Sequence, residues 1–495
     1  MRALLSQQLT VVTALLPHVM AVTVVPPPSL NLEETDSIQG VAKTLAEGAL
    51  SYYPGSATAF SELPDPYYWW ECGALMGALL DYSHYTNDSS YNDLLTTGLA
   101  AQLEPPYDLI VQKHRGDEGN DDQAFWTFAI LSAAERNFPQ VANKSIPSWL
   151  QVAENTFNNM IGRWNTSACG GGLLWQIYPE NPNGLNYRNS VSNGGLFQIS
   201  ARLYRATGNE TYLHWATKVW DWTVAIKMIG DDYAVYDGAE SSDNCTKMNQ
   251  VSFSYAAGIY LYGAAVLANS TDGDASSAWV EHTEGLLKAA ESFFSPFANA
   301  TNIMYEHACE QVDRCNTDMK SFKGYLSRFM YASSIMVPTI QPTVQKLLDT
   351  SAMAAANACS GGVNSTTCGQ KWYVGGFDGN VGLGQEMCAL ETVQGLLAQQ
   401  APPPLAKGEI KDVRKPAANS STTKGGASNP TSTSTAVKTS VASSAAVALA
   451  TASPTHTKRS RSAGVALRVP GSKLFWTALG VVGFTVVFPV FFGVF

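Results

Sequence analysis

The sequence predicts an all-α chain folded as an (α/α)6 barrel, about twelve helices arranged in an inner and an outer ring. Three observations lead there. Apolar residues recur at helical spacing across roughly residues 30–400, as in Ile38, Val41, Leu45 and Ala49, or Trp149, Val152, Phe157, Met160 and Trp164. Every second helical segment is richer in small and aromatic residues than its neighbours. These small-rich segments begin roughly 50–70 residues apart, the period of a helix-hairpin repeat. An open helical solenoid shares the same local signature.

Taken in order, the segments fall near 32–50, 67–85, 91–103, 122–137, 147–164, 193–207, 210–227, 252–268, 277–294, 322–336, 343–358 and 383–399. Gly, Pro and Asn clusters separate most of them. The segments at 67–85, 122–137, 193–207, 252–268, 322–336 and 383–399 form the inner ring, because small and aromatic side chains suit helices buried on all sides. The more polar segments between them form the outer ring. No linker-like break interrupts the body, so 22–401 is read as one catalytic domain.

Both ends of the chain carry a different signal. Arg2 and the apolar stretch from about Leu9 to Val22, with small residues at Val19-Met20-Ala21, read as a signal peptide over 1–21. Residues 402–462 are rich in Ser, Thr, Ala, Lys and Pro and almost free of aromatics, the composition of a disordered, O-glycosylated stalk. Residues 463–495 read as a removed signal for a glycosylphosphatidylinositol (GPI) anchor. The elements are the small triplet Ser462-Ala463-Gly464, a spacer, and the uncharged Leu474–Phe495, with Ser462 as the lipidation site. A tail-anchored membrane span is the alternative for the same residues. The expected location is the outer face of the plasma membrane and the cell wall.

The net charge is −10, and 11 of the 31 basic residues lie in 405–473 with only Glu409 and Asp412 as acids. The remainder is strongly acidic, which argues against nucleic acid as a partner and fits a neutral ligand such as a glycan, as it also fits solubility alone. Eight cysteines in a secreted chain with nine Asn-x-Ser/Thr sequons indicate disulfides. Cys309/Cys315 and Cys359/Cys368 are close enough to close small loops. Among Cys72, Cys169, Cys245 and Cys388, a closed ring would bring Cys72 beside Cys388. No cysteine spacing suits zinc, and no cofactor or metal is expected. Asp237, Glu240 and Asp243 form an acidic loop, read as solvated rather than as a calcium site.

The richest chemistry lies in Gly119-Asn120-Asp121-Asp122-Gln123-Ala124-Phe125-Trp126. Glycosidic bonds are usually cleaved by two carboxyl groups, about 5–5.5 Å apart in retaining enzymes and 6.5–9.5 Å apart in inverting ones. Adjacent residues at a helix start reach the shorter spacing readily, so the pair favours retention. A plain helix N-cap accounts for one of these aspartates equally well on local sequence, but no Glu or Gln completes a capping box three residues on. The segments entering the other inner helices supply candidate sugar contacts: Trp69, Trp70, Trp126 and Trp175 as ring platforms, and Arg188, Asn189, Asn193, Asn249, Gln250 and Asp378 as polar partners.

The stretch GNDDQAFW, together with Cys169-Gly170-Gly171-Gly172-Leu173-Leu174-Trp175, Tyr187-Arg188-Asn189-Ser190, Asn193-Gly194 and Asn249-Gln250, resembles glycoside hydrolase family 76, the endo-α-1,6-mannanases. The resemblance spans nearly all of 30–400, with the paired aspartates its most specific element. It implies an (α/α)6 fold, Asp121 as nucleophile and Asp122 as acid/base. Val251 departs from the Gly that bacterial members carry after Asn-Gln. With the stalk and anchor signal, the chain is most similar to the fungal cell-wall branch. That branch implies a mannan or GPI-glycan donor, a wall-glucan acceptor and attachment to the plasma membrane. Plain hydrolysis of mannan and non-catalytic mannan binding are the competing functions.

Overall fold

The computed structural model describes residues 29–181 and 183–416. The signal peptide, most of the stalk, Ser462 and the anchor signal lie outside the described residues.

Twelve α-helices and three very short strands make up the described fold. In chain order the helices are α1 (Thr35–Leu50), α2 (Trp69–Thr86), α3 (Asn92–Ala100), α4 (Asn120–Ala134), α5 (Trp149–Ile161) and α6 (Ser190–Thr207). There follow α7 (Glu210–Ala225), α8 (Ser254–Ser270), α9 (Gly273–Ala290), α10 (Phe322–Met336), α11 (Gln341–Ala358) and α12 (Leu383–Gln394). The even-numbered helices pack side by side in the order α2, α4, α6, α8, α10, α12 and back to α2, and the odd-numbered ones lie against them from outside. The molecule is an (α/α)6 barrel.

Burial divides the rings as composition predicts. In α4 every residue except Ser132 is buried, and in α8 everything except the last two residues. Outer helices bury a single stripe, as with Ile38, Val41, Ala42, Leu45, Ala46 and Ala49 of α1. Small residues let the inner helices approach one another. A Cβ added at Gly195 of α6 would come 2.6 Å from the Ala124 methyl of α4.

Strand β1 (Tyr187–Asn189) leads into α6 and pairs with β2 (Gly238–Glu240), which pairs with β3 (Met248–Asn249) before α8, in an antiparallel sheet of order β1-β2-β3. Nearby, Cys169 is bonded to Cys245; Cys309–Cys315 and Cys359–Cys368 are the two short-range bridges expected from spacing.

The Cys72–Cys388 bridge is not formed; both thiols are free and buried. The ring does close between α2 and α12, where Gln394 Nε2 donates to the Ala78 carbonyl (3.1 Å). The thiols nevertheless face different neighbours. Cys388 Sγ accepts from the Gly324 amide and donates to the Lys320 carbonyl. Cys72 lies toward Glu62 and Leu63.

The first residues of the segment read as a stalk, 402–416, are described by the structure. Residues 402–416 run along the end of the barrel where the inner helices finish. Leu405 N donates to Glu135 O, Lys407 N to Arg205 O, and Gln140 exchanges bonds with Val413 and Lys415, all within 2.8–3.1 Å. Buried ion pairs knit the same end: Arg202 with Glu135 (2.7 Å), and Arg328 with both Asp81 (3.1 Å) and Glu391.

Candidate active site

The opposite end of the barrel, where the inner helices begin, carries the carboxyl pair. Gly119 is the N-cap of α4, so Asp121 and Asp122 are its second and third residues, not its cap. Asn120 fixes this first turn. Its side chain donates to Leu174 O (2.8 Å) and accepts from Arg163 Nε (2.9 Å), and its amide donates to Trp175 O (2.9 Å).

Each carboxylate has its own partners. Asp122 Oδ2 accepts from the Gly119 amide (2.6 Å), the returning half of a capping box made by an Asp. Asp121 Oδ1 accepts from the Asp122 amide (3.1 Å), and Oδ2 from Asn189 Nδ2 (3.0 Å). A Cβ placed on Gly119 would lie 2.4 Å from Asp121 Oδ1 and 3.1 Å from Asp122 Oδ2. Those two oxygens are therefore no more than about 5.5 Å apart, a bound that accommodates the separation found in retaining glycosidases. It also explains the glycine: any side chain at 119 would displace the pair.

Both carboxyls are only 4% exposed. Burial pushes Asp121 up to about 7, opposed by the bonds from Asn189 and the Asp122 amide. Asp122 is held well above the usual carboxylate range, first by burial and then by the Asp121 charge. That charge favours a proton on Asp122, the asymmetry that a nucleophile and a general acid require.

Asn189, on β1 and capping α6, is the predicted polar residue that reaches the pair. Asn249 stands one layer out. It donates to Asp237 Oδ2 (2.9 Å), which also accepts from Tyr187 OH (2.7 Å). Asp237 is thus turned inward and buried, and raised to about 6 by desolvation, instead of lying in a solvated loop.

Other predicted contacts have different tasks. Arg188 spends its guanidinium on the carbonyls of Gly171, Asn165 and Ala168 and on Ser241 Oγ, holding the loop that carries Cys169. The alternation of β1 points it away from Asn189's side of the strand. Asn193 clamps Leu173 through both its amide atoms. Asp378 accepts from the amides of Gln370, Lys371 and Asn380, so it closes a loop. Gln250 is exposed.

The four tryptophans are packed, not open platforms. Trp126 is fully buried and donates to Trp69 O; Trp69 stacks on His114 with centroids 4.8 Å apart and donates to Gln102. Trp70 packs against Phe125 (4.7 Å), and Trp175 against Gly184. Sequence alone favoured aromatics near the mouth but carries no information on which ring faces are covered.

Two buried adjacent carboxyls, with one oxygen of each no more than about 5.5 Å from the other, at the mouth of an (α/α)6 barrel are the arrangement of a glycoside hydrolase. The comparisons agree. The model of glycosyl hydrolase family 76 matches residues 37–408. The mannan endo-1,6-alpha-mannosidase DCW1 of Saccharomyces cerevisiae is 41% identical over 379 residues, covering 76% of this chain and 82% of that protein. DFG5 of the same yeast, of the same named activity, is 39% identical over 80% of this chain and 86% of its own. Among solved structures, Dfg5 from Chaetomium thermophilum in complex with glucosamine superimposes with a TM-score of 0.71 at 36% identity, covering 76% of this chain and 94% of that one. The α-1,6-mannanase of Salegentibacter sp. shares the fold, with a TM-score of 0.57 at 19% identity over 72% of this chain and 98% of that one. The chain belongs to glycosyl hydrolase family 76.

Proposed function

We propose that this protein is a retaining glycosidase that cleaves α-1,6-mannosidic linkages, or the mannose linkages of a GPI core, and passes the glycosyl unit to cell-wall glucan. The observation that carries the cleavage step is the Asp121–Asp122 pair. Asp121 attacks the anomeric carbon as Asp122 gives its proton to the leaving oxygen. A covalent glycosyl-Asp121 ester results; Asp122, now ionised, takes a proton from the acceptor hydroxyl, which displaces Asp121.

The mannose specificity is supported by the names of DCW1 and DFG5, both mannan endo-1,6-alpha-mannosidases. Transfer is supported by the covalent intermediate that the carboxyl spacing implies, because such an ester persists until an acceptor arrives. The anchor signal and stalk read from the sequence support action on membrane-tethered glycoproteins, with the plasma membrane and the wall as the place of work. The same names favour a second reading, simple hydrolysis of mannan with water as acceptor.

Purified protein incubated with a GPI-glycan donor, with and without β-1,6-glucan, separates the two. Transfer predicts a donor–glucan conjugate and faster donor loss when glucan is present. Free sugar alone, at a rate indifferent to glucan, would leave hydrolysis. Asp121→Asn and Asp122→Asn should each lower either activity by roughly 10²–10⁴-fold. Full activity in both variants would refute the enzymatic reading.

A further inference from the structure

Arg163, just past the end of the outer helix α5, is half-buried and reaches inward to the first turn of α4. Its three nitrogens take three side-chain carbonyls. Nε donates to Asn120 Oδ1 (2.9 Å), Nη2 to Gln123 Oε1, and Nη1 to Asn159 Oδ1 of α5. All three acceptors are neutral amides. The planar fork of an arginine spans such a set, whereas a lysine brings the charge without the fork. Asn120 and Gln123 are both fully enclosed, and among the described residues Arg163 is the one donor to each of these two oxygens.

The two acceptors bracket the carboxyl pair. Residues three apart share one face of a helix, so Asn120 and Gln123 turn together toward α5, while Asp121 between them turns to Asn189 ahead of α6. The far side of the brace is anchored. Gln123 Nε2 donates to Asp108 O (2.7 Å) and Asn159 Oδ1 (3.2 Å), and Thr156 Oγ1 of α5 donates to the same Asp108 carbonyl (3.1 Å). Without Arg163 both amide oxygens would stay buried and unpaired, at a cost of about 1–3 kcal/mol each. The turn would shift, or its amides rotate, to recover partners. Beside the brace lies a surface cavity of about 580 Å³ whose walls include Asn120, Arg163, Trp164 and Leu174 but not Asp121, Asp122 or Asn189. Arg163 is thus reached from solvent by a route other than the reacting carboxyls.

We propose that Arg163 is a positioning residue of the reaction centre: donating at once to Asn120 and Gln123, it fixes the rotation of the first turn of α4 and with it the aim of Asp121 and Asp122. The proposal rests on that pair being the nucleophile and the acid. Arg163 acts through the residue on either side of the pair, Asn120 next to Asp121 and Gln123 next to Asp122. Burial brings its guanidinium down to about 10, so it keeps its charge and all its donors below that pH. A displacement of about 1 Å in reacting groups can cost about 10²-fold in rate. A brace so close to the pair is therefore felt in the chemical step and not in the binding of sugar.

The test follows covalent labelling of Asp121 in the full chain by a mannose-configured cyclophellitol-type electrophile. Mass spectrometry reads the label, and its time course is resolved into a maximal rate, kinact, and a binding constant, KI. Arg163→Ala and Arg163→Lys should each lower kinact about 10–100-fold while KI stays within about threefold, because the misplacement touches the reacting groups and not the sugar contacts. Millimolar guanidinium, admitted through the cavity, should recover part of the loss in Arg163→Ala and none in Arg163→Lys, whose side chain fills the space. Circular dichroism and the melting temperature accompany each variant; if Arg163→Ala does not fold, Arg163→Lys carries the comparison. A merely structural Arg163 would lower the melting temperature and leave kinact of the folded protein unchanged. That result, a loss confined to KI, or wild-type kinact in Arg163→Lys overturns the proposal, while labelling at Asp121 upholds the nucleophile. Labelling at another residue in the wild type overturns both.

Discussion

At the residue scale, the consequential choice is the glycine before the pair. Gly119 has an extended φ of −106° that any residue adopts, so its role is space and not backbone freedom. Gly119→Ala must push Asp121 Oδ1 aside from a 2.4 Å encounter. The expected outcome is a loss of at least about 10²-fold in kcat, given the sensitivity of catalysis to ångström-scale displacement, read by steady-state kinetics with circular dichroism to confirm folding. The pH profile belongs here too. In the proposed mechanism Asp121 attacks only when ionised, so kcat/KM should decline as pH falls through about 7. The linkage has the opposite sign for stability. Folded Asp121 binds its proton more tightly than the unfolded chain, whose value is 3.8, so the pair destabilises the fold increasingly as pH rises from about 4 to 7. Asp121→Asn should therefore melt higher than wild type at pH 8 and not at pH 4, by differential scanning fluorimetry; an equal melting point at pH 8 would contradict the buried-charge account.

At the scale of elements, the short sheet and its disulfide carry Asn189 to Asp121. Cys169–Cys245 closes a separation of 76 residues, and Arg188 holds the Cys169 loop from the neighbouring strand position. Replacing both cysteines by serine should cost about 2–4 kcal/mol of stability. It should also weaken catalysis more than it weakens the barrel, because β1 sets the Asn189–Asp121 bond; a chemical denaturation curve alongside kcat checks both. Helix positions were legible from periodicity because a buried stripe at 3.6-residue spacing is a local property of the chain. The two short-range disulfides were legible for the same reason. The Cys72–Cys388 pairing failed because proximity of two helices does not set the rotation of each about its axis, and a bridge needs Cβ vectors that point together.

At the scale of the molecule, the Asp pair and the strap formed by residues 402–416 occupy opposite ends of the barrel. Arg414 and Lys415 lie at the end away from the Asp pair. Residues 402–416 bond to the ends of α4, α6 and the segment at Gln140, and Arg414 reaches Val141 and Asn143. A protein ending at 401 should melt at least about 3 °C lower than one ending at 416, since a loss of 1 kcal/mol shifts a large domain by about 2–4 °C. Equal melting points would show that the strap adds nothing to the barrel.

The helix inventory, the ring of alternating buried and half-buried helices, the short disulfides and the adjacent aspartates were all readable from the chain, because each depends on residues near one another in sequence. The burial that raises both carboxyls, the covered faces of the tryptophans, and the scaffold bonds of Arg188, Asn193 and Asp378 were not. Each depends on what faces a side chain across the ring, and burial among distant helices, not local pattern, sets the dielectric and the hydrogen-bond partners that make an aspartate a nucleophile, an acid or a loop tie.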